Sequence, residues 1–218
     1  MYQLFKRLID LLLILLTLPI VFVLIVLFAV LIIVVDKFSP FFLQKRPGRN
    51  GRIFTCVKLR TLRAFNSQDK QNNKITNEKR VTTLGRFLRD HGIDELPQIL
   101  NILLGEMSLI GPRPLASSNY LDMEELHPKR LPEIKSWKKF RQDVLPGLTG
   151  WYQVNSQSRG VIMYDSYYLK NRSLTMDLEI FIKSVFILIL GKEIYFRKLL
   201  KRTEEPLLNV FDDPFNKF

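Results

Sequence analysis

A mostly helical α+β fold, with an apolar N-terminal helix in a membrane ahead of one small domain, is predicted for this 218-residue chain by three observations. Leu11 to Val35 is a run of 25 residues without a charge. Two strand-like segments, Phe41 to Arg46 and Arg52 to Leu59, flank a turn-forming Pro47-Gly48-Arg49-Asn50-Gly51, and Asn-Gly is a strong hairpin signal. Beyond Val81 the apolar residues recur mainly at helical spacing.

The N-terminal run, as a helix, extends about 37 Å, enough for a hydrocarbon core of about 30 Å. It is too long for a signal peptide, and no small-residue cleavage site follows. Whether it spans is a separate question. Pro19 lies nine residues into the run, where a missing N–H and a ring clash kink or break helices. Lys6 and Arg7 precede the run, and Lys37, Lys45, Arg46, Arg49 and Arg52 follow it. The positive-inside rule places the second flank in the cytoplasm, and the first does not oppose this. A kinked spanning helix is the commoner outcome; a helix that breaks at Pro19 and returns to the same face satisfies both flanks.

After the hairpin, Asn66 to Arg80 reads as a polar surface loop. Leu84, Phe87 and Leu88 mark one helical face, which Gly92 interrupts. Asp94 reads as the N-cap of the next helix, with Glu95, Leu96 and Pro97 as its first turn. Leu96, Ile99, Leu100, Leu103 and Leu104 form that helix's buried stripe, and Gly105 ends it. Asn119 to Arg141 is helical in pieces, cut by Pro128 and Pro132. Leu178 to Leu190 carries Lys183 and is short for a span; it suits a core or membrane-surface helix. The basic segment through Arg202 suits acidic headgroups.

Composition narrows the chemistry. Lys and Arg number 33 against 21 Asp and Glu, a formal charge of +12, and the charged fraction of 25% is ordinary for a folded protein. Disorder and low complexity are thereby excluded. One cysteine, Cys56, excludes an internal disulfide framework, and the distant His91 and His127 argue against a Cys/His zinc site. A metal here is expected on carboxylates, as Mg²⁺ or Mn²⁺. P-loop, G-x-G-x-x-G, G-x-S-x-G and H-E-x-x-H patterns are all absent.

Arg89-Asp90-His91-Gly92-Ile93-Asp94-Glu95 is the most informative stretch. Two carboxylates at a helix start can sit beside a phosphate if a divalent ion neutralises both. An aspartate so placed can attack phosphorus and form an acyl phosphate. Taken alone, such a pair is far more often a solvated cap. Gly111-Pro112-Arg113-Pro114 holds one guanidinium out from a stiff segment, suited to bidentate phosphate binding, although a rigid loop with a surface arginine is commoner. Lys58 and Arg60 share one strand face. Trp151 and Tyr152 can stack on a base or sugar, but a buried aromatic anchor is the commoner role. His91 is a weak candidate acid or base.

Together these blocks resemble one family: the small monotopic polyprenyl-phosphate phosphoglycosyl transferases, the bacterial sugar transferases. The resemblance runs from Lys45-Arg46-Pro47-Gly48 through Lys58-Leu59-Arg60-Thr61-Leu62, Thr83-Leu84-Gly85-Arg86-Phe87-Leu88-Arg89 and Asp94-Glu95-Leu96-Pro97-Gln98. It continues through Gly105-Glu106-Met107-Ser108-Leu109-Ile110-Gly111-Pro112-Arg113-Pro114, Pro146-Gly147-Leu148-Thr149-Gly150 and Tyr167-Tyr168-Leu169 to Met176-Asp177-Leu178.

The resemblance implies transfer of a phospho-sugar from a UDP-sugar to undecaprenyl phosphate with release of UMP. Asp94 is then the nucleophile and Glu95 the Mg²⁺ ligand, with Asp94 beside the metal. Lys58, Arg60, Arg89, Arg113, Gln153 and Arg159 become substrate-binding candidates. It also implies a re-entrant helix-break-helix anchor over residues 1–38, broken at Pro19. A cytoplasmic catalytic domain with membrane-surface helices follows over 39–202, then a tail over 203–218, at the bacterial inner membrane. The chain departs from the family pattern in places. Leu18 stands where Ser commonly precedes the proline, His91-Gly92-Ile93 where Ser/Thr-Ser-Leu is usual, Leu62 for Met, and Ser158 before Arg159 for Gly. Larger members add spanning helices upstream, so this chain is expected to be a minimal catalytic form. Inner-membrane lipids and downstream glycosyltransferases are the further partners implied. A nucleic-acid or anionic-lipid binder, motivated by the +12 charge, and a non-catalytic scaffold of glycan assembly are the competing readings. The dispersed basic residues fit a membrane surface better than nucleic acid.

Overall fold

The computed structural model describes residues 2–64, 77–116, 124–125, 128–155 and 161–202. The fold is α+β and mostly helical. Helix α1, Tyr2–Leu31, runs through Pro19 with helical backbone on both sides and passes into a π-helical turn, Ile32–Asp36. Lys37, at φ 57°, ends it. Pro19 therefore leaves no gap in the helix. The hydroxyl of Thr17 donates to the carbonyl of Leu13 at 2.8 Å and reaches that of Ile14 at 3.3 Å. Such back-bonding bends helices, so a hydroxyl is present one position before the Leu18 that lacks it.

Strands β1, Phe41–Pro47, and β2, Ile53–Leu59, form the expected antiparallel hairpin, turning through Asn50 and Gly51 at positive φ. A short helix α2, Asn77–Arg80, occupies the end of the segment expected to be loop; residues 65–76 lie outside the described set. Helix α3, Thr83–His91, is capped by the Thr82 hydroxyl on the Gly85 N–H and ends at Gly92, φ 73°. A 3₁₀ turn, Ile93–Gln98, leads into α4, Ile99–Leu103. Asp94 is thus the second residue of the turn rather than a cap: Gly92 takes the N-cap place, and no side chain bonds the turn's N–H groups.

Strand β3, Ser108–Ile110, pairs in parallel with β4, Gly147–Thr149. Between them a 3₁₀ turn, Pro128–Arg130, precedes α5, Leu131–Gln142. Pro132 does not cut this helix; it sits in the first turn, where no intrahelical N–H is needed. Helices α6, Trp151–Asn155, α7, Val161–Asn171, α8, Leu174–Leu190, and α9, Lys192–Arg202, complete the described fold.

Three apolar clusters hold these elements. Ile14 of α1 packs with Phe54, Cys56, Ile102 and Met107, and Ala29 and Ile32 pack with Leu59, Leu88 and Ile93. Val154, Tyr168, Ile180 and Phe196 anchor the third, among α6 to α9. One face of α8 stays bare: Leu174, Leu178, Ile182, Phe186 and Ile189 are exposed, as are Leu12, Leu16, Ile20 and Val23 of α1. Among the described residues only the Tyr2–Asp36 segment is long and apolar enough to cross a membrane.

Candidate active site

The 3₁₀ turn presents Asp94 and Glu95 beside β2 and the loop after β3. Lys58 Nζ donates to Glu95 Oε1 at 2.6 Å. The Arg113 guanidinium grips the same carboxylate, with Nη2 on Oε1 at 2.7 Å and Nη1 to Oε2 at 3.3 Å. Burial opposes ionisation of Glu95, but the Arg113 and Lys58 cations outweigh it and hold the carboxyl well below the usual carboxylate range. Asp94, only 8% exposed, accepts no hydrogen bond among the described residues. Burial first, then the charge on Glu95, push its carboxyl up to about 6.

Arg113 is held through its backbone. Proline cannot donate to a ladder, and the carbonyls of Pro112, Arg113 and Pro114 are taken one by one. Gly147 N–H donates to Pro112 O at 2.9 Å, the Arg141 guanidinium to Arg113 O, and the Arg46 guanidinium to Pro114 O. Arg141 is itself fixed by an ion pair with buried Asp165 at 2.9 Å and by stacking over Trp137 at 4.7 Å.

A cavity of about 250 Å³ opens beside the turn. Leu13 and Thr17 of α1 and Phe181 and Leu188 of α8 form apolar walls, and Glu95, Arg113 and Lys192 stand at its polar end. Gln153 also lines it, with both amide atoms buried and unbonded among the described residues. Lys192 was not anticipated from sequence. Its ammonium donates to Arg89 O at 2.9 Å and faces Asp94 and Glu95, and burial pushes its pKa down.

Not every candidate joins this group. Arg60 sits over the Phe38 ring, 5.9 Å from its centroid, and Arg89 Nε donates to Thr61 Oγ1 at 2.9 Å. Arg159 lies outside the described residues. Trp151 packs between Tyr167 and the Lys183 ammonium, as an anchor would. His91 stacks on Phe87 with Nδ1 at 3.0 Å from Phe87 O, beside the cavity.

Two adjacent carboxylates suit a hard divalent cation such as Mg²⁺, which binds through one or two protein carboxylates and completes its shell with phosphate and water. They make no all-protein cage, since no cluster of three metal-binding side chains occurs among the described residues. Two carboxylates in different states, ringed by fixed cations beside an apolar cavity, can accept a phosphate ester and attack it.

The sequence is similar to those of known proteins. The chain is 38% identical over 163 residues to the uncharacterized sugar transferase EpsL of Bacillus subtilis, covering 72% of this chain and 73% of that protein. It is 36% identical to the UDP-glucose:undecaprenyl-phosphate glucose-1-phosphate transferase of Xanthomonas campestris, over 70% of this chain and 32% of that one. It is 34% identical to the UDP-N-acetylgalactosamine-undecaprenyl-phosphate N-acetylgalactosaminephosphotransferase of Aeromonas hydrophila, over 87% and 45%. The matches therefore span less than half the length of the last two proteins. Residues 1–191 match the bacterial sugar transferase family, and the chain belongs to it.

Proposed function

We propose that this protein transfers a sugar 1-phosphate from a UDP-sugar to undecaprenyl phosphate, releasing UMP, as the first membrane step of surface-glycan assembly. The observation that carries the reading is the contrast between neighbours. Glu95 is gripped by Lys58 and Arg113, whereas Asp94 is buried beside it without a partner among the described residues. A carboxylate left unbonded among fixed cations is free to act as a nucleophile. The names of the Xanthomonas and Aeromonas relatives support the substrate classes.

The reaction divides into two displacements. A carboxylate oxygen of Asp94 attacks the β-phosphorus of the UDP-sugar, and the bond to the bridging oxygen breaks, so UMP leaves with that electron pair. An oxygen of the lipid phosphate then attacks the same phosphorus. The acyl-phosphate bond breaks, the Asp94 carboxylate is restored, and the lipid carries a diphospho-sugar. Splitting the reaction keeps the two anionic substrates from occupying one small site together. Arg113 meets the phosphates with a planar fork held from behind, and Lys58 adds a point charge. Asp94 and Glu95 would hold Mg²⁺, which when bound supplies charge neutralisation to the diphosphate.

Attachment of α1 at both ends supports a same-face, re-entrant arrangement, which we place in the inner membrane with the domain in the cytoplasm, the face that its basic flanks favour. Near its start Arg7 donates to Ile102 O at 2.7 Å and Lys6 to Asp177 at 2.9 Å. At its end Asp36 accepts from the Thr82 hydroxyl at 2.9 Å. A helix crossing the bilayer cannot hold one domain at both ends. Cysteines at positions 3 and 50 of a Cys56-free variant should label alike in intact cells; opposite accessibility would show a span.

The reaction is tested by mixing enzyme, Mg²⁺ and a panel of UDP-sugars without lipid. A phospho-sugar adduct on Asp94 with stoichiometric UMP is the expected result. UMP release only after lipid addition, with no adduct, would replace this scheme with a ternary-complex one.

A further inference from the structure

We propose that Lys192 binds the phosphate of the lipid acceptor at the polar end of the apolar cavity, separately from the Lys58–Arg113 pair that serves the sugar nucleotide; this rests on the transfer reaction proposed above. The residue is built into place from two sides. Gly191 turns at φ 77°, and a Cβ there would lie 2.2 Å from Asp90 Oδ2, so this turn and the end of α3 interlock. Asp90 Oδ1 also accepts the Glu193 N–H at 3.0 Å, which pins the first turn of α9.

Its position runs against the local rule. Lys192 is the first residue of α9, where the helix dipole disfavours a cation. Residues that break a local rule are commonly found at functional sites. Its one hydrogen bond among the described residues is to a carbonyl, Arg89 O, and no carboxylate lies within ion-pairing distance there. Glu95 already binds two cations directly, whereas Asp94, Glu95 and Asp90 act on Lys192 only through space, without a contact among the described residues. An ammonium with no direct counterion at the end of a cavity favours an anionic ligand.

The cavity tells which anion. Leu13 and Thr17 come from the membrane helix, and Val185 and Leu188 from α8, whose outer face is apolar and exposed. A UDP-sugar has no hydrocarbon to place against these walls. A polyprenyl phosphate does, and a tail entering between α1 and α8 brings its head to Lys192, beside the phosphorus held on Asp94.

The two half-reactions separate this role from a structural one. Full-length Lys192→Met and Lys192→Arg are compared with wild type in nanodiscs. With UDP-sugar alone, Lys192→Met should still form the Asp94 adduct and release UMP, slowed only by the loss of one cation facing Asp94 and far less than transfer is. In the second half-reaction its half-saturating undecaprenyl phosphate should rise about tenfold or more, the worth of a lost charge-assisted contact. Lys192→Arg should recover most of the affinity. The proposal is overturned if the UMP burst falls as much as transfer does, if acceptor dependence is unchanged, or if Arg rescues no better than Met, which would assign the loss to the α3–α9 junction. Should Lys192→Met not fold, Lys192→Gln is read by the same criteria. Undecaprenyl phosphate binding by native mass spectrometry needs no turnover. A wild type that binds the lipid through Lys192 yet releases no UMP would overturn the transfer reaction and leave this site standing.

Discussion

Asp177 on α8 accepts hydrogen bonds from the Tyr2 and Tyr168 hydroxyls and from Lys6, each at 2.8 to 2.9 Å. Its neighbour Asp10 takes the Ser108 hydroxyl at 2.5 Å and the Leu109 N–H at 3.2 Å. Asp94 is buried to a similar degree, 8% exposed against 6% for Asp177, and accepts nothing among the described residues. Both regions bury carboxylates near cations, but in one each carboxylate accepts two or three hydrogen bonds that tie the fold together, and the other keeps one carboxylate unspent. A carboxylate bonded this way is a clamp: it ties the start of α1 to α8 and β3. An unsaturated one carries a desolvation cost with no structural return, and that pattern marks a reacting group.

Exchanging the acid for its amide in each region tests the contrast most severely. Asp94→Asn should lower turnover by about a thousandfold or more, because an amide is a poor nucleophile and single losses within a catalytic unit are near-total. The adduct should vanish while membrane association and helix content stay as in wild type. Residual transfer within tenfold of wild type would assign the nucleophile elsewhere.

Arg113 comes next. Arg113→Ala should cost about a hundredfold in kcat/KM, the scale of one preorganised donor aimed at developing charge. Arg113→Lys should recover little of it, since an ammonium cannot reproduce the fork that spans both Glu95 oxygens. Initial rates of Arg113→Lys equal to wild type would show that only the charge matters.

The clamp should respond in the opposite currency. Asp177→Asn leaves Lys6, 13% exposed, without its closest counterion. Removing one partner of a buried pair costs about 3 kcal/mol or more. In a chain of this length that lowers Tm by about 10 °C. Kinetics measured well below the transition should stay within a few-fold of wild type. A large kinetic loss with an unchanged Tm would place Asp177 in the reaction and erase the distinction.

The distribution of what was legible follows from the range of the signals. The hairpin is written locally in Asn50-Gly51 and the alternation beside it, and it forms where expected. Gly92 ends α3 for an equally local reason, its left-handed backbone. Asp94, Glu95 and Arg113 were identified as a constellation because contiguous motifs carry them. The supports of that constellation were not. Arg141 reaches Arg113 O from another helix, and Lys192 arrives at the start of α9, whose first turn Asp90 pins. Neither stands in a pattern that a linear reading weights, and a lysine opening a helix contradicts the dipole rule. The β3–β4 pair is equally silent: three residues each, joined in parallel across a helix. Pro132 misled in the other direction, since a proline in a first turn and one that breaks a helix look alike until the start is known.

The smallest expected effect concerns the stability cost of the unspent carboxylate. With divalent metal removed by chelation, the Asp94 carboxyl titrates near 6 in the folded protein against an ordinary value of 3.8. Between those values the folded state binds more protons than the unfolded one, so stability falls as pH rises. The contribution is fully present below 3.8 and lost as pH climbs through about 6. Above that the penalty is at most about 3 kcal/mol, which is what remains after Lys58, Lys192 and Arg113 offset part of the burial cost. Asn at position 94 has nothing to titrate. Metal-free Asp94→Asn should therefore match wild type near pH 4 and become the more stable protein by pH 7.5, by a few degrees in Tm. Glu95→Gln should move the other way, because Glu95 titrates below the usual range and its ionised form is stabilised by Arg113 and Lys58. Its deficit should be greatest at neutral pH and shrink as acid protonates the wild-type group. If both amides lose stability in parallel across that range, the two neighbours are equivalent structural acids, and the contrast between a spent and an unspent carboxylate does not hold at this turn.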